Sequence, residues 1–310
     1  MTTQPMCHLR AIETAVLTGG QHHFKQASLW TIRQLQSLRC GIISKMRHLD
    51  PDIIEYYERG GEANRLLGGF PSGPLELERT KEIVSRYLPS SPVQILDVGG
   101  GPGTYAAWLA DLGHQVHLVD PVSLHIEQAR SSHARITAEI GDARQLSQAD
   151  ESADIVLLLG PLYHLIERTD RLRALSEARR VLRPGGWVFV AGISRYAALL
   201  DLLVRLGRLH EPQVFEIVKT AVETGVFRGQ RLFTIAYFHV PQELAQEVHE
   251  AGLEMSALLN VEGPGFLVSD FEERWADPLK RNAILEAARL VESKEEMLAA
   301  SSHILAVARK

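Results

Sequence analysis

The chain has 310 residues, 45% of them hydrophobic, and its 33 lysines and arginines against 38 aspartates and glutamates give a formal net charge of −5. That length allows one large domain or two small ones with a sizeable core, and the acidic balance speaks against a nucleic-acid partner. Two cysteines, Cys7 and Cys40, are too few for a disulfide framework or a thiolate metal site and suit a cytoplasmic protein; no apolar run reaches the roughly 18 residues of a membrane span, and the N-terminus lacks a secretory apolar region.

Residues 1–45 carry dispersed histidines (His8, His22, His23) and one helical stretch, Ala27 to Leu38; they read as a loosely ordered arm ahead of the domain. Asp52 to Leu67 reads as helical, interrupted at Gly60-Gly61, with Ile53, Ile54, Tyr57 and Leu66 as its buried positions. The run Gly68-Gly69-Phe70-Pro71-Ser72-Gly73-Pro74 breaks it. Leu75 to Leu88 is an amphipathic helix of the kind that packs on a sheet.

The next stretch organises the rest. Val93 to Val98 is an apolar, β-rich run that ends in Gly99-Gly100-Gly101-Pro102-Gly103-Thr104, after which Tyr105 to Leu112 reads as a helix. Gly99, Gly101 and Gly103 let the backbone turn sharply and approach a ligand. The helix behind them points free N–H groups and its positive dipole end at the turn. Open α/β sheets bind nucleotide-like ligands at such turns. A dinucleotide fingerprint would want glycine where Thr104 stands. Asp97, two residues before the first glycine, suits a ligand with a positive end and disfavours a pyrophosphate. Asp120 follows the second strand, Gln115 to Val119, placed to accept bonds from ribose hydroxyls. Asp142 follows the third strand, Arg135 to Ile140, in position to accept from an adenine amine.

Pro121 opens a helix over Val122 to Ala134. Asp154 to Leu159 is nearly all apolar, as a central parallel strand covered on both faces should be. Gly160-Pro161-Leu162-Tyr163-His164 lies at its carboxyl end. A charged amphipathic helix, Arg168 to Leu182, leads through Arg183-Pro184-Gly185-Gly186 into a fifth strand, Trp187 to Ala191. Residues 195–238 exceed what a connection needs and read as a substrate-covering insertion, with Arg231 to Val240 partly extended. Pro241 to Ala251 is a helix. Leu253 to Val261 and His303 to Val307 supply two last strands, an antiparallel pair. The implied organisation is an extension (1–50), a cofactor-binding core (51–194), the insertion (195–238) and the C-terminal part of the core sheet (239–310).

The ordered set Asp97/Gly99/Gly101/Gly103, Asp120, Asp142 and Arg183-Pro184-Gly185-Gly186 resembles the class I S-adenosylmethionine-dependent methyltransferases. Leu162-Tyr163-His164-Leu165 after the fourth strand resembles their small-molecule branch. The resemblance runs from about Tyr56 to the C-terminus, and its specific part lies between Gln94 and Val190. It implies an α/β fold with a Rossmann-like, seven-stranded, mostly parallel sheet, helices on both faces and helical lid elements. It implies S-adenosyl-L-methionine as cofactor, S-adenosyl-L-homocysteine as product, and in-line methyl transfer to a small-molecule or peptide natural-product acceptor.

The same resemblance implies that the segment from Tyr56 to Leu66 lies over the cofactor as a lid. Tyr56 or Tyr57 would bring a ring to the sulfonium, and Arg65 would fork onto the methionine carboxylate. Asp120 would take two ribose hydroxyls, Asp142 and the Ala143 N–H would bracket the adenine edge, and Leu159 and Gly160 would border the methionine portion. His164 is the candidate general base, because its ordinary pKa suits proton transfer near neutrality; Tyr163 is a second candidate and a pocket wall. His125, His133, His239 and His249 read as surface residues. Leu159-Gly160-Pro161-Leu162 stands where base-methylating enzymes carry Asp/Asn-Pro-Pro-Tyr/Phe, so a DNA or RNA base is not expected, and no carboxylate cluster at metal-ligand spacing is visible. The expected partner is a small-molecule acceptor, without nucleic acid, membrane or metal, on a monomer or homodimer. Two other readings stay open: a nicotinamide-dependent oxidoreductase on a related sheet, and a non-catalytic cofactor-binding scaffold.

Overall fold

Asp50 starts the first described helix: its side chain accepts the Asp52 N–H at 3.1 Å, with Pro51 at the first helical position. The structure, a computed structural model, describes residues 49–132, 134–229 and 232–310. The expectations placed on residues 1–45 and on His133 lie outside these. Helix α1 (Pro51–Glu58) gives way at Gly60, which takes φ +79°. A short turn (Glu62–Asn64) and a wider one (Arg65–Gly69) lead to α2 (Gly73–Ser85).

Strands and helices then alternate: β1 (Gln94–Val98), α3 (Thr104–Asp111), β2 (Gln115–Asp120), α4 (Ser123–Ser132), β3 (Ile136–Ile140), β4 (Ala153–Leu158), α5 (Arg168–Val181) and β5 (Leu182–Ser194). The five strands pair in parallel in the order β3-β2-β1-β4-β5. Strand β5 starts before the expected Trp187. Gly185 takes φ +81°, its N–H bonds to the Lys310 carbonyl at 2.8 Å, and the register against β4 shifts between Ala153 and Ile155, so the Arg183-Pro184-Gly185-Gly186 stretch is an irregular part of the strand.

Helix α6 (Pro212–Thr224) and the hairpin β6 (Val226–Phe227)/β7 (Ala236–His239) follow, then α7 (Pro241–Glu250), β8 (Glu254–Asn260), α8 (Phe271–Ala276), α9 (Pro278–Val291) and β9 (His303–Arg309). Strand β9 runs antiparallel to β5 along Trp187–Ile193, and β8 runs antiparallel to β9. This is the expected mostly parallel seven-stranded sheet closed by an antiparallel pair. The β6/β7 hairpin is an addition, hooked onto Ile193 and Ser194 at the end of β5.

Side chains alternate across the sheet and fill two cores. Ile95, Leu157, Phe189 and Leu305 face one way, and Leu96, Val156, Val188 and Ala306 the other; all are buried. Each large apolar side chain buried this way contributes about 1.5–3 kcal/mol. A buried ion pair ties α5 to α7: Arg171 grips Glu247 through Nη2 (2.7 Å) and Nε (3.0 Å), and its guanidinium lies 3.7 Å from the Tyr237 ring centre. Among the described residues no helix is long and apolar enough to cross a membrane.

Candidate cofactor and acceptor site

The site begins where β1 runs out. Gly99 (φ +69°) and Gly101 (φ +56°) sit in left-handed backbone, which side chains seldom adopt. A Cβ on Gly99 would stand 2.6 Å from Cγ of Pro161, so the loop after β4 can close against β1 only because Gly99 is bare. Gly103 (φ +89°) precedes α3 and packs against Ala129.

Beside this turn lies a cavity of about 1010 Å³, mouth included, at the carboxyl ends of β1, β2 and β4. Among its walls are Tyr57, Arg65, Asp97, Gly99, Gly101, Asp120, Asp142, Ala143, Leu159, Gly160, Tyr163 and His164. Twelve of the thirteen site residues expected from sequence are therefore brought together. Gly103 is the exception: it does not line the cavity, because it is turned onto α4. The cavity also exposes Glu62, Glu76, Tyr105, His125 and Pro161, which sequence reasoning did not single out. Tyr57, not Tyr56, faces the cavity; Tyr56 packs edge-on against Phe233, 5.5 Å between ring centres.

The acids are held differently from one another. Asp120 accepts the Gly101 N–H on Oδ2 (2.9 Å), and the Val122 N–H (2.9 Å) and the His125 ring (3.0 Å) on Oδ1. Three of its roughly four lone-pair positions are filled, so the expected pair of ribose hydroxyls finds one vacancy, not two. The surface reading of His125 is corrected by this bond, since the ring is buried. His239 is likewise buried, against Glu247 at 3.3 Å, whereas His249 is exposed as expected. Asp97 is buried and its Oδ2 has no partner. Burial, and then the nearby Asp120, push its pKa up to about 7. Asp142 is clasped by Arg144 (Nη2 to Oδ2, 2.5 Å), which also reaches Asp170 at 2.9 Å.

Arg65 spends its fork inside the protein. Nη1 and Nη2 meet the two oxygens of Glu76 at 2.6 and 3.0 Å, and Nε meets Glu62 at 2.7 Å. The expected bidentate grip on a ligand carboxylate is not available in this arrangement, since the two parallel N–H bonds already hold Glu76. Next to Glu76 stand Glu262 and His303, and the three offer ligand-type atoms within 4.8 Å of one another. That cluster was invisible in the sequence, where the three are far apart. His303 Nδ1 bonds Glu262 Oε1 at 2.6 Å. Burial alone would depress the His303 pKa, but Glu76 and Glu262 outweigh it and push it up to about 9.

His164 is buried in the turn after β4. Its Nδ1 lies 3.3 Å from the Ile235 carbonyl oxygen and its Nε2 lies 2.7 Å from the Tyr57 hydroxyl. Burial dominates the bond to that carbonyl and the Asp120 charge, and brings the His164 pKa down to about 4. The candidate general base is thus bonded to a phenol and to a backbone carbonyl and is kept neutral.

The methyltransferase-domain family matches residues 95–186 of this chain. The O-methyltransferase cnsE of Penicillium expansum is 30% identical over 202 residues, covering 58% of this chain and 72% of that protein. The chain belongs to the class I S-adenosylmethionine-dependent methyltransferases. An uncharacterised methyltransferase of Mycobacterium tuberculosis is 33% identical over 105 residues, 34% of this chain; the match spans only 42% of that relative's length. A solved structure from Thermotoga maritima, a methyltransferase described as a possible histamine N-methyltransferase, superposes with a TM-score of 0.51. It is 18% identical and covers 83% of this chain and 96% of its own, which shows the shared fold alone. In this class I methyltransferase none of the described residues of 195–238 lines the cavity. That segment touches the site through the Ile235 carbonyl and the Phe233 ring, and its Ala221, Phe227 and Phe238 pack in one core with the cavity-wall residue Tyr163.

Proposed function

We propose that the chain transfers the methyl group of S-adenosylmethionine to a small-molecule acceptor by in-line displacement. The observation that carries this is the row of acids Asp97, Asp120 and Asp142, at or just beyond the ends of β1, β2 and β3, around a glycine turn that leaves room for a nucleoside. The fit is also chemical. The buried, unpartnered Oδ2 of Asp97 suits a cationic end and opposes a pyrophosphate. The vacant lone pair of Asp120 suits a ribose hydroxyl. Asp142 and Ala143 stand for the adenine edge, Leu159 and Gly160 for the methionine portion, and the Tyr57 ring for the sulfonium. Arg65 keeps N–H groups beyond those on Glu62 and Glu76, enough for one ligand oxygen.

Bound S-adenosylmethionine supplies a methyl group already activated by its positive sulfur. The work left to the chain is to orient the acceptor and keep water out, which a mostly apolar cavity under the Tyr57–Leu66 segment can do. Residues 51–194 and 239–310 serve as the catalytic core, and residues 195–238 brace it. Titration with S-adenosylhomocysteine and with NADH tests the reading, followed by labelled methyl donor with pools of small acceptors. Binding of S-adenosylhomocysteine without NADH binding is expected; the reverse pattern would overturn it.

A further inference from the structure

We propose that Tyr57 and His164 form a fixed hydrogen-bonded pair that turns the Tyr57 oxygen into an acceptor-only group, so that the cavity selects methyl acceptors bearing an O–H or N–H. This deepens the methyl-transfer reading above and rests on it. The pair joins two distant parts of the chain, α1 and the turn after β4, and both residues line the cavity.

The direction of the bond follows from a third group. The Ile235 carbonyl can only accept, so His164 Nδ1 must carry the proton it shares at 3.3 Å. A neutral imidazole protonated at Nδ1 has Nε2 as a bare acceptor. The Tyr57 hydroxyl, 2.7 Å away, must then donate to it. With its one proton spent on His164, the Tyr57 oxygen has only lone pairs left for the cavity.

Rings on all sides hold the pair in place. Tyr57 packs edge-on against Tyr56 (5.2 Å), His125 (5.4 Å) and His164 (5.3 Å), and His164 packs against Tyr163 (4.8 Å) and Phe233 (6.0 Å). The charged and titratable groups that act on the pair are Tyr56 from α1, Glu62 and Arg65 from the segment after it, Asp120 from β2 and Tyr163 from the same turn. Burial dominates these. It keeps His164 neutral and raises the Tyr57 phenol well above its ordinary value, so the shared proton stays on Tyr57 across the neutral range.

An acceptor hydroxyl or amine can donate a hydrogen bond to the Tyr57 oxygen and keep a lone pair for attack: its bond to the methyl carbon forms as the carbon–sulfur bond breaks, S-adenosylhomocysteine leaves with that electron pair, and the acceptor's proton is lost to water. A tertiary amine or thioether has no hydrogen to give, and it would set a lone pair against the lone pairs of that oxygen. His164 is thus a positioning residue, and Tyr57 is the residue that meets the acceptor. Proton removal by His164 has no part in this scheme.

Two measurements on the full chain decide it. The first is nitrogen NMR of histidine-labelled protein between pH 5 and 9, with the His164 signals assigned by His164→Gln. A neutral ring protonated at Nδ1 throughout, with Nε2 shifting in Tyr57→Phe, is expected. Protonation at Nε2, or titration with a midpoint between pH 5.5 and 8, would overturn the proposal. The second uses labelled S-adenosylmethionine with matched secondary and tertiary amines, and with phenols and thioethers. Donor-bearing members should turn over at least ten-fold faster, and Tyr57→Phe should erase that preference. Equal turnover of tertiary amines or thioethers by the wild type would sink the proposal. Failure to bind S-adenosylhomocysteine would instead count against the methyl-transfer reading, leaving the NMR result to judge the pair.

Discussion

The Tyr57 hydroxyl lies 2.7 Å from His164 Nε2, although the two residues are 107 positions apart in the chain. That bond joins α1 to the turn after β4.

Asp120 supports the glycine turn and offers a vacancy to the ligand. Asp120→Ala should weaken S-adenosylhomocysteine binding by about 1.5–3 kcal/mol, the worth of a charge-assisted bond. Calorimetric titration of both proteins measures the difference. An unchanged affinity would mean that Asp120 only caps its strand.

Gly99 is bare because Pro161 and positive φ both require it. Gly99→Ala should lower stability by about 1–3 kcal/mol and push the β4 loop into the cavity, so ligand affinity should fall as well. Denaturant melts and titration of the same sample report the two losses separately.

His303 carries a pH signature. Its folded pKa, about 9, exceeds its unfolded value, so its stabilising contribution is complete below about pH 6.5 and is lost as pH rises through 9. Wild-type unfolding free energy should therefore decline over that window, and His303→Gln should flatten the decline. Melts at pH 6, 7.5 and 9 check the slope.

Glu247 sits in a buried ion pair with Arg171 and also faces His239. Glu247→Ala leaves the guanidinium buried without its carboxylate, and should cost about 3–5 kcal/mol of stability. A thermal melt within a degree of wild type would refute the pair's structural weight.

The parallel core was legible because its signals are local. A run such as Ile155 to Leu158 has to be buried on both faces, and Gly99 to Gly103 follows a strand directly. Asp97, Asp120 and Asp142 were found because each lies at or near the carboxyl end of a strand, and those ends share one edge of a parallel sheet. What was missed depends on contacts between distant parts of the chain. Arg65 looked free until Glu76 came back to it across the break at Gly68–Ser72. His125 looked exposed because nothing local shows the Asp120 carboxylate turning toward it. Its place in the first turn of α4, five residues after Asp120, was a usable hint. The cluster of Glu76, Glu262 and His303 has no sequence signature, since α2, the turn after β8 and β9 come together only in the folded chain. The substrate-covering role read into residues 195–238 came from length alone; Phe233 of that segment packs against Tyr56 and His164.

A crystal structure with S-adenosylhomocysteine bound is the most direct test of the whole account. The nucleoside is expected along the Gly99–Gly101 turn, its ribose at Asp120, its adenine at Asp142 and Ala143, and the sulfur facing Tyr57. A ligand outside this cavity, or a phosphate-bridged dinucleotide filling it in competition with S-adenosylhomocysteine, would contradict it.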